Sequence, residues 1–150
     1  MGWHKTALRS GEPDNSVLRP LSITEAHPNS LSSRYGLEAQ PLHTDGAHLR
    51  RPPDVVILHN QTTSRTSTAL WSPDNAQDRI DEDAWRSGIF TVATGRHKFL
   101  ASALDHSVLR LDPGCMTPAD QRAREVLKEA QDARRNCTDF AWSRPGTTLV

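Results

Sequence analysis

The longest strongly aliphatic run in this chain is only four residues long, VVIL at positions 55–58. Val and Ile are β-branched, and the run is bracketed by Pro52 and Pro53 on one side and Asn60 on the other, a pattern typical of a strand. Because the run is apolar on both faces of an extended chain, it predicts a buried strand. A membrane-spanning helix needs about 20 apolar residues, and the N-terminus lacks the apolar core of a secretory signal. We therefore expect a soluble, cytoplasmic protein.

The composition is polar for a single folded domain. The chain has 150 residues, of which 35% are hydrophobic and 5% aromatic, and its 18 Lys and Arg balance its 18 Asp and Glu. Without net charge, nothing in the composition favours nucleic acid or an anionic membrane as a partner. Cys115 and Cys137 match no paired zinc spacing and are interpreted as reduced thiols.

Strand-like and helical segments alternate along the rest of the sequence. Besides 52–60, strands are predicted within 64–71, 88–95, 106–112 and 144–150, the last of which begins with a turn at Pro145 and Gly146. Short helices are predicted within 72–88, ending at Gly88. The clearest helix is 117–136, with Thr117 as its cap, Pro118 in its first turn and Asp120 completing a capping box. Its apolar face comprises Ala119, Ala123, Val126, Leu127, Ala130 and Ala133.

This pattern predicts a fold class and a division of the chain. Residues 1–36 are rich in Ser, Pro and Asn and are interpreted as a loop-rich lead-in. Residues 37–150 contain the predicted strands and helices and are interpreted as one domain. Short strands with one long helix late in the chain favour a mainly β fold with flanking helices, of the α+β class.

The segment PLHTDGAH at positions 41–48 carries the chemistry of interest. In an extended chain, side chains two residues apart point to the same face, so His43 and Asp45 can project together. An imidazole and a carboxylate are two of the three ligands of a 2-His-1-carboxylate iron(II) site. Gly46 suits a tight exit from the strand. Two alternatives remain open, an ordinary His–Asp contact in a turn and a zinc site that also uses His48. The other candidate ligands, His59, His97 and His106, are each interpreted as a surface or hydrogen-bonded histidine.

Three separated segments resemble one enzyme family. The segments are PLHTDGAHLRRPPDVVILHN at 41–60, SVLRLDPGCM at 107–116 and FAWSRPGTTLV at 140–150. Together and in this order, they resemble the iron(II)/2-oxoglutarate-dependent dioxygenases of the taurine dioxygenase, clavaminate synthase and γ-butyrobetaine hydroxylase group. The resemblance implies a double-stranded β-helix, or jelly roll, that would be incomplete in this chain. It also implies iron(II) bound by His43 and Asp45, 2-oxoglutarate contacted by Thr68, and hydroxylation of a small organic substrate coupled to oxidative decarboxylation of 2-oxoglutarate.

The sequence departs from that family at its end. Family members continue past a PGTTLV-like strand to a second iron-binding histidine and an arginine that binds 2-oxoglutarate. Neither follows here, and neither Arg110 nor Arg144 lies in the matching context. The expectation is a C-terminally incomplete domain that is inactive by itself unless another chain supplies the missing groups, so the oligomeric state stays open. The alternatives are a non-catalytic remnant or binding module of the same fold, and a zinc-dependent hydrolase.

Overall fold

The computed structural model describes residues 4–7, 11, 13, 15–73 and 80–150. Within these ranges the chain forms short strands and three α-helices. In chain order they are α1 (Ser32–Tyr35), β1 (Leu58–His59), β2 (Thr68–Leu70), α2 (Glu82–Ser87), β3 (Phe90–Thr94), β4 (His97–Ala101), β5 (Leu104–Asp105), β6 (Val108–Leu109), β7 (Met116–Pro118), α3 (Gln121–Ala133), β8 (Thr138–Phe140) and β9 (Thr148–Leu149). A 3₁₀ turn, Arg134–Asn136, follows α3.

The strands pair into four small antiparallel sheets. The largest has the order β4-β3-β7, with Val92 opposite both Phe99 and Met116, and the other three sheets are the pairs β1-β9, β2-β8 and β5-β6. The predicted mixture of β-structure with flanking helices is therefore confirmed at this coarse level. Within the described residues, these sheets do not establish the two large packed sheets of a jelly roll.

The core lies where α2 and α3 pack beside the three-stranded sheet. Its largest fully buried side chains are Trp85, Phe90, Val92 and Val126. The predicted apolar face of α3 is confirmed at Ala123, Val126, Ala130 and Ala133, which are buried, and at Leu127, which is half-buried. Ala119 precedes the helix and is exposed, so its assignment to that face is wrong.

The start of the long helix differs from the prediction. Asp120, not Thr117, is the N-cap of α3, and its carboxylate accepts the backbone N–H of Ala123 at 2.8 Å and that of Ile89 at 3.0 Å. Thr117 lies instead in β7, opposite Thr91. Strand pairing with β3 holds the backbone extended through Pro118, which leaves the helix to begin three residues later than the local capping signal predicts.

The predicted buried strand at 52–60 is the clearest error of sequence interpretation. Only Leu58–His59 forms a strand, and it pairs with Thr148–Leu149 of β9. The preceding aliphatic residues are exposed, Val55 at 42%, Val56 at 36% and Ile57 at 65% of their surface. A strand that is apolar on both faces is buried only if layers cover both sides, and a two-stranded ribbon provides no such layers.

The remaining strand and helix predictions hold in part. Gly88 ends α2 as predicted, but the helix begins after the N-cap Asp81, and residues 74–79 of the predicted helical region lie outside the described residues. The predicted strands at 64–71, 88–95, 106–112 and 144–150 are shorter than predicted and correspond to β2, β3, β6 and β9. Gly146 has a positive φ of 75°, as the predicted Pro-Gly turn before β9 requires.

The loop-rich lead-in at 1–36 contains one regular element among its described residues, the single helical turn α1. None of the helices in the described ranges combines the length and apolar character that crossing a membrane requires.

Candidate metal site at His43 and Asp45

The HTD segment is anchored by its central threonine. The backbone N–H of Thr44 donates to the carbonyl of Leu111 at 2.6 Å, and the Thr44 hydroxyl oxygen accepts the N–H of Leu111 at 3.0 Å. Gly46 follows in a turn with a positive φ of 74°, the left-handed conformation that glycine adopts without strain. The segment lies outside any regular strand, yet these bonds fix it against buried Leu111.

The side chains on either side of Thr44 converge. Nε2 of His43 lies 3.7 Å from Oδ1 of Asp45, with 31% and 38% of the two side chains exposed. The other ring nitrogen of His43, Nδ1, lies 3.0 Å from the carbonyl oxygen of Pro41. The prediction that the imidazole and carboxylate leave the same side of the chain is consistent with this arrangement.

The Pro41 carbonyl determines which histidine nitrogen is available for a ligand. A carbonyl oxygen can only accept, so Nδ1 of His43 must carry the proton that it donates to Pro41. In the neutral imidazole, Nε2 then presents its lone pair towards Asp45. Nε2 of His43 and Oδ1 of Asp45, 3.7 Å apart and both partly exposed, are two atoms that can act as ligands of one metal ion. Metal-ligating histidines usually donate their second N–H in this manner.

The turn after Asp45 is held by a buried arginine. Arg110 is only 6% exposed, and its guanidinium donates to the backbone carbonyls of Ala47, Leu49 and Arg50, the last two at 2.6 and 3.0 Å. Burial lowers the pKa of Arg110, an effect opposed by the nearby Cys115 and Asp105. Arg110 thereby fixes residues 47–50 as Leu111 fixes Thr44, so two adjacent residues position the whole segment.

Sequence interpretation missed this positioning role. The sequence indicates of Arg110 only that its context does not match that of an arginine that binds 2-oxoglutarate. The sequence does contain one relevant signal, an arginine between Leu109 and Leu111. A charged side chain between two apolar residues is either exposed to solvent or buried with hydrogen-bond partners.

The residues present fit two ligands of an iron site but not a complete ligand set. Two ligand atoms that each lie about 2.1 Å from a metal, with an angle of about 90° between the two bonds, are about 3.0 Å apart. The side chains of His43 and Asp45, whose ligand atoms are 3.7 Å apart, would therefore move slightly closer on binding a metal. No group of three or more His, Cys, Asp or Glu that could hold a metal occurs in the described part of the chain, so His48 does not complete a three-ligand set with His43 and Asp45. This geometry gives no support to the zinc hydrolase alternative.

Thr68, the residue that the family resemblance assigns to 2-oxoglutarate, lies on β2. Its hydroxyl oxygen accepts the indole N–H of Trp142 at 2.9 Å, and it pairs with Phe140 of β8. Among the described residues, no hydrogen bond joins Thr68 to His43 or Asp45. Its role towards a cosubstrate stays a prediction, and the structure shows it as a strand threonine that supports Trp142.

The other candidate histidines lie on the surface. His59 is exposed on β1 with its Nδ1 3.0 Å from the Thr148 hydroxyl, His97 is exposed on β4, and His106 is 3.8 Å from Asp105. The interpretation of these three as surface histidines agrees with their placement.

Comparison of the chain with protein-family models, with curated proteins and with solved structures finds no match.

Proposed function

We propose that this chain is an oxygenase-type protein that binds iron(II) weakly through His43 and Asp45, and that it belongs functionally with the 2-oxoglutarate-dependent hydroxylases of small organic substrates. The observation that carries the proposal is the approach of His43 Nε2 to Asp45 Oδ1 at 3.7 Å, with Nδ1 held by Pro41. The proposal includes a jelly-roll ancestry for the small antiparallel sheets and a 2-oxoglutarate contact by Thr68.

The orientation of the imidazole is compatible with metal binding, and the family resemblance favours a metal over a simple ion pair. The Nδ1–H of His43 is directed to the backbone carbonyl of Pro41. That bond leaves Nε2 as the ligand atom, and Asp45 faces it with an anionic oxygen. Bound iron would supply the oxygen-activating chemistry, whereas the protein residues orient the metal and its ligands.

We assign the small organic substrate to a cleft that is lined in part by the residues preceding His43. It has a volume of about 270 Å³ and is lined by Pro41 and Leu42 next to His43 and by Tyr35, Leu127, Ala130 and Arg134. Apolar walls with a few polar groups are typical of small-molecule sites, but this cleft is slightly smaller than their usual range of about 300–1,000 Å³. His43 and Asp45 do not line the cleft, and its link to them is their chain neighbours Pro41 and Leu42.

The second candidate is a non-catalytic binding module of the same ancestry. It is favoured by the incomplete ligand set among the described residues and by Arg110, whose donors hold backbone carbonyls rather than a cosubstrate. Both candidates share weak metal binding through His43 and Asp45 and differ in turnover. The enzyme would need a third metal ligand and a cosubstrate anchor in addition to His43 and Asp45.

Succinate release separates the two candidates. The protein is incubated with iron(II), ascorbate and 2-oxoglutarate, and succinate is quantified with and without the Asp45→Ala substitution. Succinate production that exceeds the metal-only background and is lost in Asp45→Ala supports the oxygenase. Background-level succinate in both proteins supports the binding module. Production that is unchanged in Asp45→Ala contradicts the assigned site.

A further inference from the structure

A second cavity is lined in part by Arg110 and has no role in the proposed metal site. Its volume is about 350 Å³, and it lies between the segment 50–52 and strands β4–β6. The charged residues that line it are Arg50, Arg51, Arg110 and Asp105. Three cations and one carboxylate give this cavity an excess positive charge, although the chain as a whole is neutral.

The deepest of these cations has no carboxylate partner. Arg110 is 6% exposed and donates only to backbone carbonyls, and no Asp or Glu of the described residues lies within ion-pair distance of it. Carbonyl groups satisfy hydrogen bonds but do not neutralise a buried charge. Asp105, the one acidic residue of the lining, has 77% of its side chain exposed, so solvent screens its effect on the buried guanidinium.

The floor of the cavity combines guanidinium groups with an aromatic ring. The guanidinium carbons of Arg50 and Arg110 lie 5.4 and 5.2 Å from the centre of the Phe99 ring. Cation–π attraction to the Phe99 ring favours placing the guanidinium groups of Arg50 and Arg110 close together, although their positive charges repel each other. Arg51 is the third arginine of the cavity. It pairs with Asp54 at 3.8 Å, but both side chains are largely exposed, so this ion pair holds Arg51 only weakly.

We propose that this cavity binds a small organic anion, whose carboxylate or phosphate oxygens face Arg50 and Arg51 above the buried charge of Arg110. Guanidinium groups pair with either oxyanion through two parallel N–H···O hydrogen bonds, so the shared chemistry is a compact anionic oxygen array. Leu100, Ala101 and Val108 line the rest of the cavity and suit a short apolar part of the ligand. The inference does not depend on the proposed function, because His43 and Asp45 do not line this cavity.

Binding of succinate, inorganic phosphate and uncharged succinamide to metal-free protein tests this inference. Titrations are followed by NMR through the Arg Nε–H and Phe99 ring signals at low salt. We expect saturable shifts of Phe99 and Arg110 with succinate or phosphate and none with succinamide. Tighter binding of succinate identifies a carboxylate ligand, and tighter binding of phosphate identifies a phosphate ligand. The absence of saturable shifts with both anions overturns the proposal.

Charge-removing variants locate the site. Arg50→Gln and Arg51→Gln alter exposed side chains, and Arg50→Gln keeps the backbone carbonyl that Arg110 binds. Each is expected to weaken anion binding by about three- to tenfold. Arg65→Gln is the matched control at an exposed position outside the cavity and should leave binding unchanged. Equal binding in all three variants would contradict the site, and retained binding in His43→Ala separates it from the metal site.

Discussion

The indole N–H of Trp85 donates to Oε2 of Glu129 at 2.7 Å, a hydrogen bond that joins α2 to α3 through a fully buried aromatic residue of the core. The same carboxylate accepts the backbone N–H of Asp81, the N-cap of α2, at 3.2 Å. Glu129 therefore holds both the start of the shorter helix and its buried aromatic side chain. This arrangement fixes the helical layer against which the three-stranded sheet packs.

Glu129→Ala is expected to lower the free energy of unfolding by about 1–3 kcal/mol, because the buried indole N–H of Trp85 loses its acceptor. Glu129→Gln should cost less, since its amide oxygen can still accept. Urea unfolding measures both. Glu125→Ala, on the exposed side of the same helix, is the matched control and should change stability by less than about 0.5 kcal/mol. Equal losses at positions 125 and 129 would refute the role of this bond.

Arg110→Met is expected to lower the free energy of unfolding by about 2–4 kcal/mol, because three backbone carbonyls of residues 47–50 lose their donors. Arg65→Met is the control for loss of an exposed arginine. Amide hydrogen exchange gives a second readout, with faster exchange expected at residues 44–50 than elsewhere in the Arg110→Met protein. A stability as high as that of Arg65→Met, with unchanged hydrogen exchange, would show that the hydrogen bonds of Arg110 do not stabilise residues 47–50.

Asp120 is expected to make stability depend on pH. Hydrogen bonds from the N–H groups of Ala123 and Ile89 lower the pKa of its carboxyl below the ordinary value of 3.8. The folded state therefore favours the ionised form, and this contribution is present above the unfolded-state pKa and is lost as pH falls through the lowered, folded-state pKa.

The comparison that isolates this contribution is wild type against Asp120→Asn in urea unfolding from pH 6 to pH 2. The difference in stability between the two proteins should shrink as the pH falls below about 4, within the acid range where Asp titrates. A constant difference across that range would contradict the assigned pKa shift.

How far the sequence predicts this molecule depends on whether local or long-range contacts decide each feature. Gly88 and Gly146 were placed correctly because a helix end and a tight turn depend on the glycine itself. The cap of α3 was misplaced because pairing of β7 with β3, some 25 residues away in sequence, keeps Thr117 extended. The aliphatic run at 55–57 was misjudged because its burial depends on covering layers, which local sequence does not reveal.

The candidate site also combines a feature that local sequence suggests with features that long-range contacts decide. The approach of His43 to Asp45 was predicted for an extended strand, whereas the structure brings the two side chains to 3.7 Å in a loop and turn. The groups that position the pair, Leu111 and Arg110, lie more than 60 residues away along the chain, and the local sequence, an arginine between two leucines, does not reveal which segment they hold.

Cys115 is expected to resist alkylation in the folded protein. Burial, together with the charge and hydrogen bond of Asp112, raises the pKa of its thiol from 9.0 to about 12. Since the thiolate is the reactive form, this shift lowers the reactive fraction at pH 8 by about 1000-fold relative to an unshifted thiol. Mass spectrometry of the Cys137→Ser protein after iodoacetamide treatment measures it, with the same protein in urea as the control. Equally fast labelling in both conditions would contradict the raised pKa.

The most direct test of the central claim, that His43 and Asp45 together bind a metal ion, is anaerobic titration with iron(II) followed by calorimetry. We expect weak binding of one ion per chain, with His43→Ala and Asp45→Ala each weakening it by at least about tenfold. His97→Ala, an exposed histidine on β4, should leave it unchanged. Absence of iron binding, or binding that survives both substitutions at positions 43 and 45, would contradict the account.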